Sequence, residues 1–161
     1  HKDSMGNGAI IHPGDMQYMS AGSGVFHSEF NPSSIERTEL YQIWLRPNQS
    51  GGEPLYSEKK LADWKATHDW IRLFSGNDSN ETTTRIRQNA EIIFARLEAG
   101  RDLKLPAHPD RPHRWIQVVK GSIHVAGAEL NRADGLAIEN HPEPLEISAT
   151  ENSEVFVFQL S

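Results

Sequence analysis

Short apolar runs separated by turn residues recur along the whole chain. In residues 155–160 the side chains of Val155 and Val157 alternate with those of Phe156 and Phe158, which is the period-2 pattern of a β-strand. The pattern predicts strands over residues 16–19, 26–30, 40–45, 70–74, 90–97, 115–119, 123–125, 135–138, 145–148 and 155–160. Many short strands with frequent turns and little helix indicate an antiparallel all-β fold.

Two segments carry more specific expectations. Residues 40–45 are apolar on both faces except at Gln42, so we predict a central strand covered on both sides. Leu61, Trp64 and His68 are spaced by three and four residues, which is compatible with one or two short helical turns. The four tryptophans of the chain are predicted to be core or barrel-closing aromatics; they are Trp44, Trp64, Trp70 and Trp115.

The beginning of the chain suggests that strands are missing before it. Asn7-Gly8 is a strong type I′ turn signal, and such a turn needs a strand on each side, of which we identify only the following one. Residues 1–19 also resemble residues 124–138, where a strand pair over 115–125 precedes the repeat. Chance similarity between two turn-rich segments is an equally good explanation of this repeat. We interpret the chain as N-terminally truncated or proteolysed.

Composition narrows the classes of function. The chain has 161 residues, no cysteine and a formal net charge of −6, with a sequence pI near 5.7. The lack of cysteine excludes thiol catalysis and thiolate metal sites and agrees with a reducing, cytoplasmic location. The acidic balance argues against direct nucleic-acid binding. No apolar run approaches the roughly 20 residues of a membrane span, so we expect no membrane partner.

The chain resembles the pirin family along its whole length. The resemblance rests on the long segment 13–29, which runs from Pro-Gly-Asp to His-Ser-Glu, and on residues 3–7, 42–45, 115–121 and 134–138. It implies a bicupin, with two antiparallel, jelly-roll-like β-barrel domains of which the first is incomplete. The corresponding division is the C-terminal part of the N-terminal barrel at 1–56, a connector at 57–69 and the C-terminal barrel at 70–161. The second-barrel segments resemble the bacterial quercetinase-like members.

The resemblance also implies one metal site in the N-terminal barrel. The family holds a divalent metal, usually iron, through three histidines and one glutamate, and the alternatives are Ni, Mn, Cu, Zn and Co. His27 and Glu29 match two of these ligands, whereas no His-x-His exists in this chain to supply the other two. Two residues apart on a strand, His27 and Glu29 would share one face, about 7 Å apart at Cα. We therefore expect a metal at His27 and Glu29 in the intact protein and none in this fragment.

The other histidines are weaker candidates. They are His1, His12, His108, His113 and His124, and none of them belongs to the matched His-Ser-Glu step. His12 precedes Pro13-Gly14 and is predicted to lie at a turn. His108 and His113 flank a Pro-rich segment, and we interpret them as solvated loop histidines.

Two functions of different classes follow from the resemblance. The first is a metal-dependent oxygenase of the quercetin 2,3-dioxygenase type, which acts on a flavonol-like small molecule with Glu29 as the base for the substrate hydroxyl. Met16, Met19 and Phe26 could line a pocket for a flat aromatic substrate or simply pack. The alternative is a non-catalytic, metal-responsive regulator that binds a protein partner. A third reading is a folded remnant that does neither.

Overall fold

The computed structural model describes residues 1–60 and 69–161, and the regular elements in these ranges are all β-strands. The strands are β1 Lys2–Asp3, β2 Asp15–Ser20, β3 His27–Ser28, β4 Leu55–Lys60, β5 Ile71–Ser75, β6 Thr84–Arg85, β7 Ala90–Leu97, β8 Asp102–Leu105, β9 His113–Lys120, β10 Ser122–Val125, β11 Ala128–Asn131, β12 Gly135–Ile138, β13 Leu145–Ala149 and β14 Ser153–Leu160. The all-β prediction is confirmed. Within the described ranges no helix has the length and apolar composition that a membrane crossing requires.

The chain divides into two units, His1–Asp63 and Trp64–Ser161. The first unit contains two small antiparallel sheets, one formed by β1 and β3 and the other by β2 and β4. The pairing of β1 with β3 sets Asp3 opposite His27 and Lys2 opposite Ser28. This register places the first residues of the chain beside the segment that begins at His27.

The second unit is a pair of sheets around an apolar core. The larger sheet has the order β12-β9-β14-β7-β5-β6 and the smaller the order β11-β10-β13-β8; every pairing is antiparallel except that of β5 with β6. Strand β9 shows why the sequence folds this way, since Arg114, Ile116 and Val118 are buried in alternation with more exposed residues. Both sheets contribute apolar side chains to one cluster, to which Trp70 packs from the side.

Several strand predictions in the second unit are confirmed. Residues 90–97 and 135–138 coincide with β7 and β12, and the predicted strands at 115–119, 123–125 and 155–160 lie within β9, β10 and β14. The turn at Lys120-Gly121 connects β9 to β10, and Gly121 has the positive φ of 80° that favours glycine there. Apolar alternation was sufficient because these strands have one face on a core.

The predicted central strand at residues 40–45 is wrong. This segment has no regular structure, and Leu40 and Trp44 expose 61% and 86% of their surface. A strand needs a hydrogen-bonded neighbour, and no described strand pairs with this segment. The prediction of Trp44 as a core aromatic fails with it, and Trp115 is also not buried, since it exposes 41% of its surface. Trp64 lies outside the described residues.

Two further expectations change in the first unit. Only His27–Ser28 of the predicted strand at 26–30 is paired. The proposed connector at 57–69 begins within β4, Leu55–Lys60, and the helical turns expected around Leu61, Trp64 and His68 lie outside the described residues. The alternating pattern at 55–60 is weak, because no residue of β4 is fully buried.

The chain reversal near the start also differs from the predicted Asn7-Gly8 turn. The amide of Asp3 donates to the carbonyl of Asn7 over 3.1 Å, and Gly6 between them has a φ of 93°. Lys2 bridges to Gly8, so β1 is itself the strand that precedes the turn. The Asp3 side chain explains why the turn lies earlier than predicted. Its carboxylate accepts hydrogen bonds from the amides of Met5 and Asn7, which fixes the reversal over residues 3–7.

Candidate metal site in the first unit

His27 and Glu29, the two residues that the sequence identified, lie at and just after β3. Both are exposed, with 39% of the Glu29 side chain accessible. Strand β3 pairs with β1, which sets His27 opposite Asp3 and brings the start of the chain close to His27 and Glu29. The site is therefore built from two short segments far apart in sequence.

His1 completes a cluster with His27 and Glu29. One potential ligand atom from each of the three residues lies within 4.8 Å of the others. His1 Nδ1 is 3.9 Å from Glu29 Oε1, and the rings of His1 and His27 have centroids 5.7 Å apart. The sequence alone assigns no role to His1. The available signal was its spacing from Asp3, since His1-x-Asp3 repeats the period-2 spacing of His27-x-Glu29 on a neighbouring strand.

The His1 side chain is fully covered, unlike the other two. Its Nε2 lies 3.3 Å from Asp3 Oδ2, and neither of these two side chains has exposed surface. The imidazole stacks on the ring of Tyr56 with a centroid separation of 4.8 Å and an interplanar angle of 13°. Its Nδ1 is buried and has no hydrogen-bond partner among the described residues. A buried polar atom without a partner is costly, so this nitrogen requires an explanation.

Asp3 is held as an ionised acceptor. Its carboxylate accepts hydrogen bonds from the amides of Met5 and Asn7, each at 2.9 Å, and from Asn7 Nδ2 at 2.8 Å. Burial raises the pKa of Asp3, but the hydrogen bonds from Asn7 and Met5 together outweigh it, so that the pKa lies below its ordinary value. An ionised carboxylate can only accept, which assigns the shared proton to His1 Nε2, and in the neutral imidazole this leaves a lone pair on Nδ1.

Tyr56 closes the other side of His1 as a neutral phenol. Gln17 Nε2 donates to the Tyr56 hydroxyl over 2.8 Å, and this hydroxyl donates to Glu58. Burial, followed by the hydrogen bond to Glu58, raises the pKa of Tyr56 to about 12. Tyr56 thus supplies a flat surface for the imidazole and is not a base near neutral pH.

The donor set suits a divalent metal. Two imidazoles and one carboxylate with further positions open are the ligands of many non-haem iron sites and also accept nickel and related ions. Donors bound at about 2.1 Å lie roughly 3 to 4 Å from one another, and the separation of His1 Nδ1 from Glu29 Oε1 falls in that range. The orphaned nitrogen of His1 therefore fits a metal ligand.

The remaining candidate histidines do not join a metal cluster among the described residues. His12 lies in a turn as expected, where its carbonyl accepts the amide of Asp15. His124 is exposed on β10. His108 and His113 were expected to be solvated loop histidines, but both are half-buried and only His108 lies in a loop. His108 Nε2 lies 2.9 Å from the guanidinium of buried Arg111, and His113 belongs to β9.

Comparison with known proteins places this chain in a family. Residues 1–45 match the family model described as Pirin, and residues 73–160 match that described as Quercetinase C-terminal cupin domain. Quercetin 2,3-dioxygenase of Escherichia coli K12 is 37% identical over 161 residues, covering 99% of this chain and 67% of the relative. The chain belongs to the pirin family.

Solved structures agree with this assignment. The crystal structure of YhhW from Escherichia coli superposes with a TM-score of 0.89 at 36% identity, covering 99% of this chain and 66% of that one. The structure of the bacterial pirin YhhW in complex with nickel(II) gives 0.88 at 35% identity, with the same coverage. The chain thus spans about two thirds of the length of the relatives that it matches, and the cupin fold expected from the sequence is confirmed.

Proposed function

We propose that this protein is a metal-dependent oxygenase of the quercetin 2,3-dioxygenase type that acts on a flavonol-like substrate. The observation that carries the proposal is the cluster of His1, His27 and Glu29, because it offers two imidazoles and a carboxylate with open positions beside them. Relatives named quercetin 2,3-dioxygenase and a related pirin crystallised with nickel(II) support it. The metal we favour is iron, with nickel as the first alternative.

Each residue has a distinct part in this proposal. When bound, a divalent metal supplies Lewis acidity for the substrate and for oxygen chemistry. His27 and Glu29 are ligands on the exposed side, where a planar substrate can approach. Glu29 also accepts the proton of the substrate hydroxyl, for which its partly exposed carboxylate is available. Asp3, with its lowered pKa, cannot take this part, because its oxygens are already occupied by three donors.

Two substitutions test the enzymatic proposal. We expect His27→Ala to abolish flavonol consumption and oxygen uptake in iron-loaded protein, because it removes a ligand. Glu29→Gln removes both the base and the carboxylate ligand, so it should lower turnover by at least the roughly 10²- to 10⁴-fold that loss of a general base alone costs. His124→Ala is the matched control, since His124 is exposed in the second unit and should leave turnover unchanged. Full activity of His27→Ala would exclude the metal-dependent mechanism.

A second function is favoured by the surface around the site. Phe26 and Phe30 flank the His27–Glu29 segment and expose 86% and 79% of their surface. Exposed aromatic residues of this kind are enriched at protein interfaces. A metal-responsive regulator that binds a protein partner would use them. In that case Phe26→Ser would weaken partner capture, iron redox state would change that capture, and no flavonol would be consumed.

A further inference from the structure

We propose that His1 is a ligand of the metal in this chain and that Asp3 is the residue that positions it. The inference rests on the proposed metal site and deepens it, since the sequence assigned only His27 and Glu29. Its starting point is a contrast within the cluster. His27 and Glu29 are exposed and could exist there without a metal, whereas the His1 side chain is completely covered.

The covered imidazole has one satisfied nitrogen and one that is not. Nε2 donates towards Asp3 Oδ2 at 3.3 Å, whereas Nδ1 has no hydrogen-bond partner among the described residues. The polar atom that Nδ1 faces is Oε1 of Glu29, at 3.9 Å, which is too far for a hydrogen bond. A cation between these atoms would satisfy both the lone pair of Nδ1 and the charge of Glu29.

Asp3 gives the imidazole the tautomer that a metal needs. Histidine ligands commonly donate their second N–H to a carboxylate, which fixes the ring and raises the basicity of the other nitrogen. Asp3 is well placed for this, because three other donors in the turn at Met5 and Asn7 hold its carboxylate in position. The turn at residues 3–7 therefore acts through Asp3 on the orientation of His1.

Tyr56 restrains the remaining freedom of the ring. Its near-parallel stacking on His1, at 13° and 4.8 Å, opposes rotation of the imidazole out of the cluster. Hydrogen bonds with Gln17 and Glu58 in turn fix the Tyr56 hydroxyl. These contacts restrain the His1 ring, and a restrained donor loses less entropy when it binds an ion.

The test is direct measurement of Ni²⁺ binding to the purified, metal-stripped chain. We expect tight 1:1 binding to the wild type and a loss of affinity in His1→Ala that exceeds about 100-fold, the upper end for losing a residue behind a ligand. Asp3→Asn keeps an acceptor for the turn but loses the carboxylate, and should lower affinity by about 10- to 100-fold. His12→Ala and Asp15→Asn are matched controls in the same unit and should leave affinity unchanged.

A further variant and a spectroscopic measurement distinguish loss of a metal ligand from loss of folding or of catalysis. His1→Phe preserves a ring against Tyr56 but has no donor nitrogen, so it should remain folded and lose Ni²⁺ as His1→Ala does. With Co²⁺, the visible absorption of His1→Phe should change in intensity because a ligand is lost, whereas Asp3→Asn should shift the bands and keep their intensity.

Wild-type affinity in a folded His1→Phe variant would overturn the proposal, as would the absence of any Ni²⁺ binding by the wild type. If His1→Phe binds Ni²⁺ normally while His27→Ala does not, the proposed oxygenase site survives and only the assignment of His1 fails. If His1→Phe loses Ni²⁺ but the wild type consumes no flavonol, the assignment of His1 survives and the proposed oxygenase does not.

Discussion

The two units of the chain are ordered by different forces. The second unit buries a continuous apolar cluster drawn from seven strands, β7–β11, β13 and β14. In the first unit no residue between 1 and 60 is buried as a whole, and the fully covered side chains described above are the polar pair His1 and Asp3. Of the large exposed apolar residues in the described ranges, all but Trp115 belong to the first unit.

This difference between the units agrees with the location of the candidate metal donors in the first unit. An apolar core stabilises the second unit, but it offers no cluster of metal donors among the described residues. The first unit instead gains local order from polar contacts, above all those of Asp3 with Asn7 and His1. Functional segments are commonly drawn from the less stable parts of a protein, because binding then contributes to their order.

The largest expected difference between the units is the cost of removing an apolar side chain. Ile116 has no exposed surface, so Ile116→Ala should lower the free energy of unfolding by about 2–5 kcal/mol through lost burial and the cavity that it leaves. Leu40→Ala, at an exposed position of the first unit, should change it by less than about 0.5 kcal/mol. Urea unfolding measures both. Equal losses would mean that Leu40 is covered in solution and would contradict the contrast.

A smaller difference is expected for glycines with positive φ. At Gly121 an added Cβ would lie 2.5 Å from the carbonyl oxygen of Asn152 and 2.7 Å from Ser153 Cα. Gly121→Ala therefore adds a steric clash to the backbone strain, which itself costs about 1–3 kcal/mol. At Gly6, with a φ of 93°, an added Cβ meets no atom within 4 Å, so Gly6→Ala should cost the strain alone. Thermal unfolding should rank Gly121→Ala as clearly the less stable variant.

Alternation of apolar residues was enough to predict most of the second unit. Strands such as β7 and β9 have a buried face, and burial selects residues at every second position, which leaves a readable pattern. The same reasoning failed at residues 40–45. Apolar composition indicates that burial of a segment is favourable, but it does not identify the strand or surface that would bury it. The resemblance to pirins then supplied the fold and the pair His27 and Glu29.

The rest of the candidate site depends on a contact that no local pattern contains. His1 reaches His27 and Glu29 through the pairing of β1 with β3, and both strands are only two residues long. The turn beside β1 lies at residues 3–7, where the Asp3 carboxylate accepts the amides of Met5 and Asn7, whereas local propensity placed it at Asn7-Gly8. A long-range pairing of such short strands leaves no periodicity to detect, so sequence reasoning could identify His27 and Glu29 but not the third donor beside them.

The smallest effect that we predict is also the most selective, and it concerns metal binding. Ni²⁺ at ten times its dissociation constant should stabilise the structure that binds it by about 1.4 kcal/mol. Because the donors lie in the first unit, amide hydrogen exchange should slow by roughly tenfold at β1 and β3, with the change confined to segments that open together with the site. Exchange at β7 and β14 in the second unit should be unaffected.

Hydrogen exchange with mass-spectrometric readout, with and without Ni²⁺, resolves these segments. The control is Glu29→Gln, which should abolish the protection because a neutral amide replaces the carboxylate donor, while the apo exchange pattern stays unchanged. Equal protection of both units would mean that they open as one cooperative structure, and the division between a core-stabilised unit and a ligand-stabilised one would then be wrong. Protection confined to β1 and β3 would show that metal binding stabilises the first unit against opening, as apolar burial stabilises the second.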